Sequence, residues 1–117
     1  MAGGALSHVR VLDFTTHVAG PYCTKLLADY GADVIKVERL GTGDSARSMG
    51  PFPEDIPHPE KSGLFLHLNT NKRSITLDLK SKAGQKIAMA LASEADLVVE
   101  SFRPGVMDRL GLGLEAL

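Results

Sequence analysis

Hydrophobic residues in the first third of the chain alternate between a short run, a helix-spaced set and a second short run. Residues 9–14 (VRVLDF) and 32–38 (ADVIKVE) are mostly apolar, and each run predicts a β-strand. Between them a Gly-Pro pair suits the start of a helix and Gly31 suits its end. The apolar stripe of that helix is formed by Cys23, Leu26, Leu27 and Tyr30. A strand–helix–strand unit of this length is typical of a parallel sheet.

The second half of the chain repeats this alternation. Residues 73–79 (RSITLDL) have an apolar side chain at every second position, which predicts a third strand. Ser81 is placed to cap a helix over residues 82–94, and residues 96–100 (DLVVE) predict a fourth strand. The apolar face of this second helix is formed by Ile87, Leu91 and Ala95.

Two segments do not follow the alternation. Residues 40–61 hold four of the six prolines and three glycines, which predicts a long irregular loop of the kind that is usually functional or disordered. Residues 63–68 fit a short helix or a strand equally well. After the break at residues 104–105, residues 106–110 predict one or two helical turns.

The order of these elements predicts an α/β fold, a Rossmann-like parallel sheet with helices on both faces. The length of 117 residues allows one domain at most. Four strands make a thin sheet, and no closing element follows them. We therefore expect residues 1–117 to form the N-terminal part of a larger domain whose remainder is missing.

Composition excludes several classes of function. A net charge of −1 gives no basic surplus for binding nucleic acid, and no apolar run approaches the length of a membrane span. The N-terminus lacks the apolar core of a signal peptide. A single cysteine, Cys23, forms no internal disulfide, which fits a reducing cytoplasm. Its place on the apolar stripe predicts packing rather than nucleophilic chemistry.

Cations follow three of the predicted strands. Ligands of open α/β sheets bind beyond the carboxyl ends of the strands, so side chains there are candidate ligand contacts. The cations near these ends are Arg39, Lys80, Arg103 and Arg109. Arginine and lysine both bind phosphate groups, so the residues alone point to a ligand with several phosphates.

Other candidate chemistry gives weaker signals. The first strand–helix turn ends at a helix N-terminus, which favours an anion, but it lacks the G-x-G-x-x-G pattern. Glu38 stands where a ribose-binding acid would stand in a dinucleotide fold, although without those glycines NAD binding has little support. The four histidines do not have metal-ligand spacing, and no Ser/His/Asp or Cys/His set can be assembled. We therefore assign no metal site and no catalytic residue.

The residue strings carry a resemblance beyond these patterns. VLDFTTHVAGPYCTKLLADYGADVIKVER, GTGDSAR, LNTNKRSITLDLKS and ADLVVESFRPGVMDRLGLG occur in this order between residues 11 and 113. The series strongly resembles the N-terminal part of family III CoA-transferases. The resemblance implies the large, CoA-binding domain of a longer enzyme whose two subunits interlock. Acyl-CoA and a carboxylic acid would be its substrates, with no tightly bound cofactor.

Site residues can be carried over only by motif position. The resemblance places the loop before the Gly-Pro pair beside the pantetheine and thioester, Arg39 at the adenine–phosphate end, and the end of the third strand along the adenine pocket. It also assigns CoA contacts to the segment after the fourth strand. The residues implied are His17, Val18, Ala19, Arg39, Leu77, Lys80, Ser101, Phe102, Arg103 and Arg109. Val18 stands where some transferases have glutamine, which leaves the acyl specificity open.

The chemistry implied by the resemblance is covalent. In the transferases an aspartate attacks the acyl-CoA thioester, and the family position of that aspartate falls after Leu117. We therefore expect the 117-residue chain alone to be inactive. Two alternatives stay open. One is an acyl-CoA racemase or epimerase of the same family, which works by proton transfer. The other is a non-catalytic CoA-binding or assembly module.

Overall fold

The computed structural model describes residues 4–117, and four parallel strands organise it. The strands are β1 (Arg10–Asp13), β2 (Asp33–Arg39), β3 (Arg73–Leu77) and β4 (Leu97–Val99). The helices are α1 (Ala19–Asp29), α2 (Gly63–Leu68), α3 (Lys82–Ser93) and α4 (Val106–Arg109). Two 3₁₀ turns, Ser45–Ser48 and Pro53–Asp55, lie in the long loop of residues 40–61.

The strands lie in the order β3-β2-β1-β4, and every neighbouring pair is parallel. Leu12 is in register with Ile35 on one side and with Val98 on the other. The parallel arrangement confirms the predicted α/β fold. Because all four carboxyl ends point the same way, the loops that follow the strands meet at one edge of the sheet.

Apolar clusters on both faces confirm the predicted helices on both faces of the sheet. On one face, Leu12, Phe14 and Val37 pack with Ala88 of α3 and with Leu112. On the opposite face, the buried residues are Val11, Val34, Ala28 of α1, and Ala32. Side chains of neighbouring strand positions therefore supply opposite layers, as the two-residue period of a strand requires.

The predicted apolar stripe of α1 is wrong at Cys23, Leu26 and Tyr30, whereas Leu27 packs against the core as predicted. The helix buries Pro21, Thr24 and Ala28, whereas Leu26 is 41% and Tyr30 is 63% exposed. Cys23 is also exposed, so the expectation that it packs in the core is wrong as well. Thr24 takes the inward position because its hydroxyl donates to the Asp13 carboxylate at 2.6 Å. A polar anchor, rather than hydropathy, fixes the rotation of α1.

The face of α3 is also shifted from the prediction. Gly84 and Ala88 are its buried residues, and Ile87 is 48% exposed. Leu91 and, just after the helix, Ala95 are partly buried against the core as predicted. Ser81 caps this helix as predicted, since its hydroxyl accepts from the Gly84 amide at 2.9 Å. Residues 63–68, left open by the sequence, form a helix capped by Ser62, whose hydroxyl accepts from the Phe65 amide. Across residues 4–117, no helix has the length and apolar character needed to cross a membrane.

Candidate functional site

A cleft of about 1040 Å³ lies where the carboxyl ends of β2 and β3 meet the segment after β4. The strand-end segment of residues 77–80 and Phe102 line one side. The long loop of residues 40–61 lines the other side, with Phe52 and His58 among its contributions. Ligand pockets span about 300–1000 Å³, so this cleft is large enough for a long molecule with a nucleotide at one end.

Three of the four cations singled out by the sequence line this cleft. Arg39 is the last residue of β2, Lys80 follows β3, and Arg103 follows β4. All three are exposed, and within residues 4–117 none of them has an ion-pair partner. Unpaired cations that converge on one cleft provide charge for an anionic ligand. Arg109 belongs to α4 and does not line the cleft.

The apolar residues that the sequence singled out, Leu77 and Phe102, also line the cleft. Both are half-buried, and both pack against the core cluster on the α3 side of the sheet. Their position beside the cations gives the cleft an apolar wall next to a positively charged rim. This combination suits a flat apolar group that carries phosphates.

The loop between β1 and α1 lies beside the cleft rather than in its lining, apart from Phe14 and Thr16. The Thr16 amide donates to the Ser101 hydroxyl at 3.2 Å, which ties this loop to the segment after β4. The His17 Nδ1 lies 3.5 Å from the hydroxyl of Ser45, a residue of the cleft wall. His17, Val18 and Ser101 are exposed, and Ala19 begins α1. The structure thus places the predicted residues of the β1–α1 loop next to the predicted residues that line the cleft.

Buried charges lie under the cleft on the α1 face of the sheet. The Nζ of Lys36 lies 2.8 Å from Asp44 Oδ2, and the Nζ of Lys72 lies 3.1 Å from Asp13 Oδ2. All four side chains are at most 1% exposed. Buried charges are tolerated when they are paired and hydrogen-bonded, so each pair holds the segments that carry it in a fixed arrangement.

Arg47 holds the long loop against the sheet. Its Nε and Nη2 donate to the two carboxylate oxygens of Glu38, each at 2.8 Å, and its guanidinium lies 3.8 Å from the centre of the Phe65 ring. Burial raises the pKa of Glu38, but hydrogen bonds from Arg47 and from the Asp44 amide outweigh it and keep the pKa below its ordinary value. Because both carboxylate oxygens of Glu38 accept hydrogen bonds from Arg47, Glu38 does not serve as a ribose-binding acid in this structure.

The pKa of Asp44 is also lowered. Burial raises it, but the Lys36 ammonium and the backbone amides of Ala46 and His17 stabilise the charged form more strongly. Asp44 is therefore a carboxylate at neutral pH. It links the first loop to the long loop because both His17 and Ala46 donate to the same oxygen, each at 2.9 Å.

The residues that the sequence did not single out come mainly from the long loop. Phe52, His58, Ser45 and Arg47 all line the cleft, yet irregular backbone gives no periodicity from which to predict their side-chain directions. The available signals were the length of the loop and the string GTGDSAR, which contains Ser45 and Arg47. Within residues 4–117, no three side chains of His, Cys, Asp or Glu group as metal ligands.

Comparisons with known proteins show the family to which this chain is similar. The sequence model of CoA-transferase family III matches residues 6–117. A formyl-CoA:oxalate CoA-transferase of Afipia carboxidovorans is 52% identical over 95% of this chain and 25% of its own length. A succinyl-CoA:mesaconate CoA-transferase of Haloarcula hispanica is 48% identical over 97% of this chain and 28% of its own length.

Solved structures share the fold. A CAIB/BAIF family protein from Brucella suis superimposes with a TM-score of 0.85 at 36% identity, covering 97% of this chain and 30% of that one. A hypothetical protein from Mycobacterium tuberculosis gives a TM-score of 0.85 at 40% identity, covering 97% and 30% of the two chains. The 117 residues thus span about a quarter of the length of the curated relatives they match.

Proposed function

Because this chain belongs to CoA-transferase family III, we propose that its cleft binds the CoA portion of an acyl-CoA. The full-length protein would then transfer CoA from that thioester to a carboxylic acid. The observation that carries the proposal is the convergence of three cations on one apolar-walled cleft, each from the end of a different strand and none with an ion-pair partner among residues 4–117.

The cations would hold the phosphates of CoA. Arg39, Lys80 and Arg103 present charged donors along the rim, and CoA carries a 3′-phosphate and a diphosphate. Charge-assisted hydrogen bonds of this kind contribute about 1.5–3 kcal/mol each. Leu77 and Phe102 would flank the adenine, since an apolar wall beside the cations suits a flat heterocycle. Arg109 lies on α4 outside the cleft lining, so it would reach a phosphate only at the outer edge of the cleft.

The loop of residues 15–20 would lie beside the pantetheine and the thioester. It adjoins the cleft through Thr16 and through the contact between His17 and Ser45. His17, Val18, Ala19 and, from the opposite segment, Ser101 would then surround the reacting end. Val18 offers an apolar side chain there, so acyl selectivity at this position would come from shape rather than from an amide hydrogen bond.

The chemical step would use a carboxylate nucleophile outside these 117 residues. That carboxylate attacks the thioester carbonyl, the CoA thiolate leaves, and an acyl–enzyme anhydride forms. The thiolate then attacks the enzyme's own carbonyl of the anhydride, which releases the acyl group as a carboxylate and forms an enzyme–CoA thioester. The acceptor acid repeats the two steps in reverse. The role of this chain would be to bind and orient CoA.

The full-length protein would work as an interlocked homodimer in the cytoplasm. The curated relatives are named for formyl-CoA with oxalate and for succinyl-CoA with mesaconate, so these donors and acceptors are the first to test.

The test is a transfer assay on the natural full-length protein that contains this chain. Formyl-CoA and succinyl-CoA are each paired with a panel of ¹³C-labelled dicarboxylic acids, and new thioesters are identified by mass spectrometry. Label in a new CoA thioester supports the proposal. If no acid in the panel becomes a thioester while a 2-methylacyl-CoA takes up solvent deuterium at its α-carbon, the racemase alternative replaces it.

A further inference from the structure

Asp44 joins the two loops that flank the cleft. It ends a left-handed turn at Gly43 and caps the 3₁₀ turn Ser45–Ser48, where its Oδ1 accepts from the Ala46 amide at 2.9 Å. The same oxygen accepts from the His17 amide, also at 2.9 Å, across 27 residues of sequence. One buried carboxylate oxygen thus holds the long loop and the β1–α1 loop together.

The backbone of His17 needs such support. Its φ is 76°, in the left-handed region that residues other than glycine seldom adopt. A residue held there persists only when its surroundings determine the conformation. At His17 the contact that does so is the hydrogen bond from its amide to Asp44, since the side chain is exposed and its Nδ1 makes only a 3.5 Å contact with Ser45.

Lys36 and Glu38 fix Asp44 in turn. The Lys36 ammonium lies 2.8 Å from Asp44 Oδ2 and also donates to the Thr15 carbonyl at 3.0 Å. The Asp44 amide donates to Glu38 Oε2 at 3.1 Å. Both side chains come from β2, the inner strand between β1 and β3, so the position of Asp44 is tied to the rigid sheet.

We infer that Asp44 is a positioning residue that, with Lys36 behind it, sets the strained His17 backbone and so fixes the β1–α1 loop in the arrangement that receives the pantetheine end of CoA. This inference rests on the proposed function, because it assigns that loop to the reacting end of the ligand. Asp44 acts through His17 and through the loop, whereas the cations of the rim act on the phosphates directly.

The test compares Asp44→Asn with the wild type in the full-length protein by two measurements. Hydrogen exchange of the ligand-free protein reports on the loop without reference to CoA. We expect amides of residues 15–20 to exchange at least about tenfold faster in the variant, because an amide oxygen replaces the charged acceptor. Unchanged exchange at these residues would overturn the inference whether or not the protein binds CoA.

The second measurement is affinity for CoA and for adenosine 3′,5′-bisphosphate, which lacks the pantetheine arm. Asp44→Asn should raise the Kd for CoA about five- to twentyfold. The Kd for adenosine 3′,5′-bisphosphate should change by less than about twofold, because the substitution does not alter the cations that bind phosphate. An equal loss for both ligands would show a general loosening and contradict positioning. Failure of wild-type protein to bind either ligand would instead count against the proposed function.

Ser62→Ala is the matched control. The Ser62 hydroxyl donates to the carbonyls of Ala46 and Met49, so it anchors the same long loop, and none of its hydrogen bonds within the described residues reaches residues 15–20. This variant should unfold at a lower temperature and keep wild-type exchange at residues 15–20. If Asp44→Asn does not fold, the double variant Asp44→Asn, Lys36→Met removes both buried charges, and the same two measurements decide.

Discussion

Lys72 Nζ lies 3.1 Å from Asp13 Oδ2, with the two side chains 1% and 0% exposed. Asp13 ends β1, Lys72 precedes β3, and the ammonium also donates to the carbonyl of Pro21 at the start of α1. Burial lowers the pKa of Lys72, and the charge and hydrogen bond of Asp13 offset part of that shift. The pair therefore ties three elements together beneath the first loop.

Removing one partner of this pair should destabilise the protein strongly. Lys72→Met leaves the buried Asp13 side chain without its ion-pair partner, for which a loss of about 3–5 kcal/mol is expected. Thermal unfolding of the full-length protein measures the effect. The exposed pair of Arg73 and Asp33, 2.8 Å apart, provides the control, since Arg73→Met should cost less than about 1 kcal/mol. Equal losses for the two variants would contradict the structural role given to Asp13 and Lys72.

The free energy of unfolding should fall in acid, and part of this fall should come from protonation of Glu38. Glu38 and Asp44 have folded-state pKa values below their ordinary values of about 4, so below about pH 5 the unfolded chain binds protons that the folded chain does not. The stabilisation is complete above that pH and is lost as the pH falls through the folded pKa values. Glu38→Gln should flatten the dependence of Tm on pH between about 5 and 3. Glu94→Gln, on a side chain 74% exposed, should leave the dependence as in the wild type.

Gly84 allows α3 to approach the cleft wall. A Cβ at this position would clash with the backbone carbonyl oxygen of Asp78, which must then move. Gly84→Ala should destabilise the protein by about 1–3 kcal/mol despite its gain in helix propensity. Because residues 77–80 line the cleft, CoA affinity should fall as well. Lys86→Ala, at an exposed position of α3, should change neither the Tm nor the affinity, and a stable, fully binding Gly84→Ala variant would refute this close packing.

Charge removal at the rim should weaken CoA binding without loss of stability. Arg39 is exposed and without an ion-pair partner within the described residues, so Arg39→Gln should leave the Tm unchanged. Loss of one charge-assisted contact predicts about a tenfold or greater rise in the Kd for CoA, measured by calorimetric titration. Arg73→Gln, which removes a cation from the amino-terminal end of β3, should leave the Kd unaltered. Equal effects of the two substitutions would point to general electrostatics rather than to the cleft.

The sheet could be predicted from the sequence because local signals agree with it. Runs of apolar residues at 9–14 and 32–38 became β1 and β2, and Ser81 marked the start of α3. Strand ends also located Arg39, Lys80 and Arg103, since parallel strands place their carboxyl ends at one edge.

Helix rotation and the long loop could not be predicted in the same way. In α1 the inward position went to Thr24, whose partner Asp13 is on another element, while Leu26 stayed exposed. In the loop, the direction of Arg47 depends on Glu38 and on the Phe65 ring. These placements are set by tertiary contacts between polar groups, which hydropathy along the chain does not register.

The most direct test of the account is hydrogen exchange of the full-length protein with and without saturating CoA. If the cleft binds CoA, amides of residues 38–45, 77–80 and 101–103 should exchange more slowly when CoA is present, and the distant turn before β3 at residues 70–73 should not change. Protection confined to segments outside residues 1–117, with no change at these three stretches, would contradict the assignment of the cleft as the CoA site.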